Sequence, residues 1–210
     1  MSENLFFNYE NIEKEEIKKR KSLLISPKIL FEDFVDISLK KFNKDEITEI
    51  KNFFLILQNL NFDKIYKNYL SHPIRLAQMW CLAGKKVSPQ EIKFVLAHNI
   101  IENGFLDEIK DKLEINQIKK IKVLTIDRNK ETNLEYLNTY YNNIEKYSES
   151  LLIFKSLDKL DNLLIGEKYL FSDYSINLLR LQICSRLKKY DLRLHDYINS
   201  AVNFYEKKYS

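Results

Sequence analysis

Three short stretches of this chain carry residue types that together could bind a metal ion and activate water. His72 lies near the start of one predicted helix, with Arg75 one turn further on. His98 and Glu102 are four residues apart on the next predicted helix, and Asp158 lies on a third. Imidazole nitrogens with carboxylate oxygens suit Mn, Fe, Zn or a similar divalent ion. Such an ion polarises a phosphoryl oxygen and lowers the pKa of water so that it attacks at neutral pH.

Amide side chains accompany these groups. Asn99 and Asn103 are four residues apart on the same predicted helix as His98, and Asn162 follows Asp158 by four. A single histidine on a mostly apolar helix is more often a core residue than a metal ligand. The three stretches in combination favour an inherited metal site. A purely structural helical protein would leave the polar stripe unexplained, because buried polar groups without partners are costly.

Capping residues and glycines predict where the helices that carry these stretches begin and end. The predicted starts are Ser26-Pro27, Asn43 with Glu46, Asp63, Ser71, Ser88-Pro89 with Glu91, and Thr132 with Glu135. The predicted ends are Gly84, Gly104 and Gly166. The helix that carries His98 is therefore expected to reach Asn103.

Hydrophobic spacing predicts an all-α fold. Ile50, Phe53, Phe54 and Leu57 fall at i, i+3, i+4 and i+7, which is typical of a helix that faces the core. Apolar residues at 176, 179, 183 and 187 predict a long closing helix. No useful period-2 alternation occurs, so we expect roughly nine or ten helices, given a mean helix length of about 12 residues.

Composition excludes several classes of protein. Of 210 residues, 45% are hydrophobic and 30% are charged, as in an ordinary globular protein. The net charge of +4 comes from interspersed charges of both signs, so no nucleic-acid partner is predicted. Two cysteines, Cys81 and Cys184, are too few for a disulfide framework. Without a signal peptide or an apolar run of about 20 residues, the chain is expected to be cytoplasmic, with no membrane partner.

The three stretches resemble the HD-domain metal-dependent phosphohydrolases, and most closely the RelA/SpoT-type (p)ppGpp hydrolases and their small single-domain relatives. Tyr69-x-Ser71-His72-Pro73 looks like the family's Y-I-x-H-P motif. Further similarity lies in Leu124-Thr125, Glu131 to Tyr140 and Lys155 to Leu163. The resemblance implies an HD-domain helical bundle forming a single domain over residues 1–210. Residues 1–60 would be an N-terminal helical extension, 61–165 the motif-bearing core and 166–210 the closing helices.

The resemblance also implies roles for individual residues. Its metal ligands would be His72, His98, Asn99 and Asp158, and manganese is the metal it favours. The pair that serves the attacking water would be Glu102 and Asn103. Asn162 would help to hold the phosphate or ribose of the substrate, and we add Arg75 and Lys155 as further candidate phosphate contacts. The implied substrate is a small phosphorylated ligand, most simply a nucleotide or a related phosphoester.

Two departures from the family pattern bear on activity. Asn99 and Asn103 stand where the family has aspartate, and an amide offers only a neutral oxygen in place of an anionic one. Metal affinity should therefore fall, and a proton acceptor or water-orienting group is lost. One alternative is a phosphohydrolase with retained or impaired catalysis. The other is a catalytically inactive HD-like module that binds a nucleotide or a protein partner.

Two further observations limit the resemblance. The family's guanine-binding residues precede the Y-I-x-H-P motif, and residues 63–68 keep only a lysine of them, so another nucleotide or phosphorylated metabolite fits equally well. His195-Asp196 is a literal His-Asp dipeptide, but it follows the other stretches and has no later partner aspartate at comparable spacing. We interpret it as a surface or helix-end pair.

Overall fold

The computed structural model describes residues 12, 21–60, 62, 68–83, 87–165 and 179–209. These residues contain ten α-helices and no strand, so the all-α prediction is confirmed. The helices are α1 Pro27–Ser38, α2 Lys44–Gln58, α3 Ser71–Leu82, α4 Pro89–Ala97, α5 Leu106–Ile109, α6 Ile115–Leu124, α7 Leu134–Tyr147, α8 Glu149–Ile165, α9 Ser185–Leu187 and α10 Leu192–Tyr209. In the described ranges, no helix is both long enough and apolar enough to cross a bilayer.

The chain divides into two compact units. The first unit is Ser22–Ile126, and the second combines Met1–Lys21 with Asp127–Ser210. The single HD-like domain implied by the resemblance, with its N-terminal extension, core and closing helices, stays a prediction.

In the first unit, α1 packs against α3, α2 against α4, and α4 against both α3 and α6. The core-facing side of α2 is the predicted one, since Ile50, Phe53, Phe54 and Leu57 are all buried. Phe31 of α1 stacks on Phe54, with ring centroids 3.7 Å apart. These contacts fix the helices that carry both candidate histidines.

Three predicted helix starts in this unit are confirmed. Ser26 and Ser88 cap α1 and α4, each followed by proline at the first helical position. Asn43 and Glu46 form a reciprocal capping box at α2, with bonds of 2.8 and 2.9 Å. In each case a side chain accepts an amide hydrogen that the helix itself leaves without a partner.

Two other predicted starts were wrong, and each is displaced by one residue. Leu70 takes the N-cap position of α3 without a side-chain bond, and Ser71 is already the first helical residue. Asn133, not Thr132, caps α7, because its Oδ1 accepts from the Tyr136 amide at 3.0 Å. Asp63, Gly84 and Gly166 lie outside the described residues.

The second unit is built around α8, which packs against α7 and α10. A π-helical turn, Leu179–Cys184, leads into α9, where the sequence predicted a long closing helix. The long C-terminal helix is α10. The Arg186 guanidinium ties this part to α7 by donating to Asn138 and Asn142, each at 2.8 Å.

Candidate metal centre

His72 is placed by the first turn of α3. The helix begins at Ser71, and Pro73 falls within the first turn, where a missing amide hydrogen costs no helical bond. The His72 amide bonds to the Tyr69 carbonyl at 3.3 Å. The side chain is half-buried, at the start of a helix that is otherwise largely buried.

His98 follows directly on the last residue of α4 and is buried. Its Nδ1 lies 2.8 Å from the Val95 carbonyl oxygen. Because a carbonyl oxygen can only accept, Nδ1 donates this bond, and in the neutral ring the lone pair is on Nε2. A metal-binding histidine commonly donates its other ring N–H to a backbone carbonyl in this way. The His72 and His98 rings are 5.3 Å apart at an angle of 64°.

Asp158 belongs to α8, and three neighbours on that helix contact its carboxylate. The Lys155 Nζ lies 2.9 Å from Oδ2, the Lys159 Nζ lies 4.0 Å from the same oxygen, and the Asn162 amide donates to Oδ1 at 3.4 Å. Lys155 and Asp158 are both buried. Burial disfavours the Lys155 ammonium, but the Asp158 carboxylate with Tyr140 and Tyr141 outweighs it and holds the pKa of Lys155 well above its usual value.

His72, His98 and Asp158 offer ligand atoms that all lie within 4.8 Å of one another. In the part of the chain that the structure describes, they are the only such grouping of His, Cys, Asp or Glu. Two imidazoles and a carboxylate suit a divalent transition metal. Ligand atoms bonded at about 2.1 Å to one tetrahedral ion lie roughly 3.4 Å apart, so the side chains would close in by about 1.4 Å at most to complete the set. The residues therefore fit such an ion.

The segment after His98 differs from the prediction. The α-helix ends at Ala97, not at Asn103, and turns follow up to Gly104. The reason is a change in hydrogen bonding, since the amides of His98 and Ile100 bond to carbonyls only three residues back. The predicted helix end at Gly104 was therefore wrong; Gly104, with a φ of +78°, instead ends the turns that follow the helix. We call residues 98–104 the His98 turn.

Within the His98 turn, the side chains of Glu102 and Asn103 both contact backbone. Glu102 Oε1 accepts from the Ile126 amide at 3.3 Å. Asn103 Nδ2 donates to the Asn99 carbonyl oxygen at 3.0 Å. The catalytic roles implied for Glu102 and Asn103, and a ligand role for Asn99, stay predictions.

The three residues proposed to bind substrate each contact another side chain of the protein. Arg75, one turn after His72, is buried and donates to the Ser22 hydroxyl at 3.4 Å. Lys155 and Asn162 contact Asp158, as described above. Their binding of phosphate stays a prediction.

Some residues around these groups had no signal in the sequence. Ser22 is 53 residues from its partner Arg75, so no local spacing joins them. Tyr140 and Tyr141 are both buried, and the ring centroid of Tyr140 lies 6.0 Å from the Lys155 Nζ. Burial raises the pKa of the Tyr141 hydroxyl well above its usual value.

His195 behaves as the sequence indicated. It lies near the start of α10, and its Nδ1 is 2.8 Å from the carboxylate of its neighbour Asp196. The grouping of candidate ligands does not include it.

Comparisons with protein-family models, with curated proteins and with solved structures found no match for this chain. The likeness to HD-domain proteins therefore rests on the motifs in the sequence and on the grouping of His72, His98 and Asp158.

Proposed function

We propose that this chain is a metal-dependent phosphohydrolase of the HD type, acting on a nucleotide or a related phosphoester. One observation carries the proposal: the ligand atoms of His72, His98 and Asp158 lie within 4.8 Å of one another, in the order along the chain that the motifs imply. The bond from His98 to the Val95 carbonyl adds support, because it directs the lone pair of the neutral ring to Nε2.

In this proposal His72, His98 and Asp158 hold the ion, and Asn99 is the fourth ligand from the chain. A divalent ion held there would polarise a phosphoryl oxygen and lower the pKa of bound water. Manganese is the ion that we propose. Glu102 is the carboxylate of the His98 turn and accepts the proton of the attacking water. Arg75, Lys155 and Asn162 are the proposed contacts to phosphate or ribose.

The test combines metal binding with turnover. Mn²⁺ affinity and product release from a panel of nucleotides, including ppGpp, are measured for the wild type, His98→Ala and His195→Ala. His195 is the matched control because it is the third histidine and lies outside the grouping. We expect His98→Ala to lose Mn²⁺ binding and turnover and His195→Ala to keep both. Equal behaviour of the two variants would refute the proposal.

A non-catalytic binding module is the second candidate, and the ion pair of Lys155 with Asp158 favours it. An ammonium 2.9 Å from Oδ2 already offsets the charge of Asp158, and Asn99 adds no charge. Nucleotide binding by calorimetry, without Mn²⁺ and without product, would support this candidate. Stronger Mn²⁺ binding in Lys155→Met would show instead that the lysine competes with the ion for the carboxylate.

A further inference from the structure

We propose that Asn103 is a positioning residue, whose amide closes the His98 turn and fixes the backbone next to His98. The inference rests on the proposed function, because it concerns the same site. It assigns Asn103 a role different from the water-orienting role implied by the family pattern.

Asn103 makes two bonds to one acceptor. Its backbone N–H donates to the Asn99 carbonyl oxygen at 3.1 Å, and its side-chain Nδ2 donates to the same oxygen at 3.0 Å. A carbonyl oxygen has two lone pairs, so both bonds can form together. The peptide that follows Asn99 is therefore held from the far end of the turn.

Two backbone hydrogen bonds close the C-terminal end of the His98 turn. Gly104, in the left-handed conformation, donates to the Ile101 carbonyl, and Phe105 donates to the Ile100 carbonyl, each at 3.0 Å. This pair of bonds is the Schellman arrangement that ends a helical segment. The Ile126 amide also donates to the Glu102 side chain, so the proposed base is held within the same segment.

The side-chain bond requires a hydrogen-bond donor at position 103. The Asn99 carbonyl can only accept, and an aspartate side chain at neutral pH has no hydrogen to donate. A carboxylate oxygen placed where Nδ2 now lies would face the carbonyl oxygen at about 3 Å and be repelled. The asparagine that departs from the family pattern thus supplies a donor that the family's aspartate would lack.

Bonds elsewhere in the first unit suggest serine at position 103 as a matched control variant. Two hydroxyl side chains donate to the carbonyl four residues back, Thr48 to Lys44 at 2.8 Å and Thr125 to Ile121 at 2.9 Å. Serine and threonine commonly make this bond in helical segments. Asn103→Ser therefore keeps a donor for the Asn99 carbonyl, whereas the nearly isosteric Asn103→Asp removes it.

The experiment compares the wild type, Asn103→Asp and Asn103→Ser by Mn²⁺ titration and by amide hydrogen exchange over residues 98–105. We expect Asn103→Asp to bind Mn²⁺ about 10-fold more weakly, the lower end of the loss typical for residues that orient ligands. Its amides in the turn should exchange faster. Asn103→Ser should remain close to the wild type in both measurements, a rescue that a purely steric role would not give.

Two results would overturn the inference. One is Mn²⁺ binding by Asn103→Asp as tight as the wild type, with unchanged exchange. The other is a loss in Asn103→Ser equal to that in Asn103→Asp. If the wild type binds no Mn²⁺, the proposed function fails, and the exchange rates alone decide. Protection lost in Asn103→Asp but kept in Asn103→Ser would still support the positioning role, and equal protection would refute it.

Discussion

Removing the Asp158 carboxylate leaves the Lys155 ammonium buried without its nearest counter-ion. The two side chains are only 5% and 4% exposed, and their charged atoms are 2.9 Å apart. Loss of one partner of a buried pair costs about 3–5 kcal/mol, because the remaining charge keeps its desolvation penalty. We therefore expect Asp158→Ala to lower the free energy of unfolding by about 3–5 kcal/mol.

The assay is urea unfolding followed by circular dichroism at 222 nm, with a chelator present so that no metal contributes. Asp107 and Lys110 provide a matched control, since their charged atoms are also 2.9 Å apart and three residues separate them. That pair is exposed, so Asp107→Ala should leave the free energy of unfolding close to that of the wild type. The contrast isolates burial as the cause.

A double variant sharpens the test. Replacing both charges, as in Lys155→Met with Asp158→Leu, removes the desolvation penalty together with the ion pair. Such apolar replacements of buried pairs are often neutral or stabilising. We expect the double variant to be more stable than Asp158→Ala. Two results would refute the reasoning. One is a loss of unfolding free energy in Asp158→Ala no larger than that in Asp107→Ala. The other is a double variant whose loss equals the sum of the losses in Lys155→Met and Asp158→Leu measured singly.

Three further predictions concern local features. Gly104→Ala should lower the free energy of unfolding by about 1–2 kcal/mol, because alanine is strained at the φ of +78° that Gly104 adopts. A steric clash adds nothing, since no atom lies within 4 Å of an added Cβ. Thermal unfolding measures the loss. Burial raises the pKa of Cys81 and of Cys184 to about 11, so at pH 8 the native thiols should react with a disulfide reagent about 100-fold more slowly than in urea. Their rate should rise about tenfold per pH unit up to about pH 10, and a plateau below pH 9 would contradict it. Asn133→Ala should destabilise by about 1 kcal/mol and Thr132→Ala by much less in urea unfolding; equal effects would contradict the cap assignment.

Helix starts were the most predictable part of the fold. Ser26, Asn43 and Ser88 cap their helices as expected, because a capping side chain and the amide that donates to it lie within three residues of each other. Leu70 and Asn133 show the limit of such patterns. A capping residue type in the right region does not fix which of two adjacent residues takes the N-cap position.

The sequence pattern did not predict where α4 ends. The spacing of polar residues from 98 to 103 is compatible with a regular helix. After Ala97, however, the amides of His98 and Ile100 bond to carbonyls three residues back, not four. Asn99 and Asn103 still meet, as their separation by four residues suggested. What the pattern missed is that Asn103 bonds to backbone, a contact that depends on the turn being formed.

The sequence by itself determined the all-α class, the buried face of α2 and the residue types offered for metal chemistry. Those features depend on side-chain type and on spacing within a few turns of helix, which the order of residues fixes directly. Only the tertiary structure decided that Arg75 reaches Ser22, that Lys155 and Asp158 are buried together, and that His72, His98 and Asp158 are grouped. Burial and contacts between distant residues depend on how whole helices pack, and no local pattern encodes that packing.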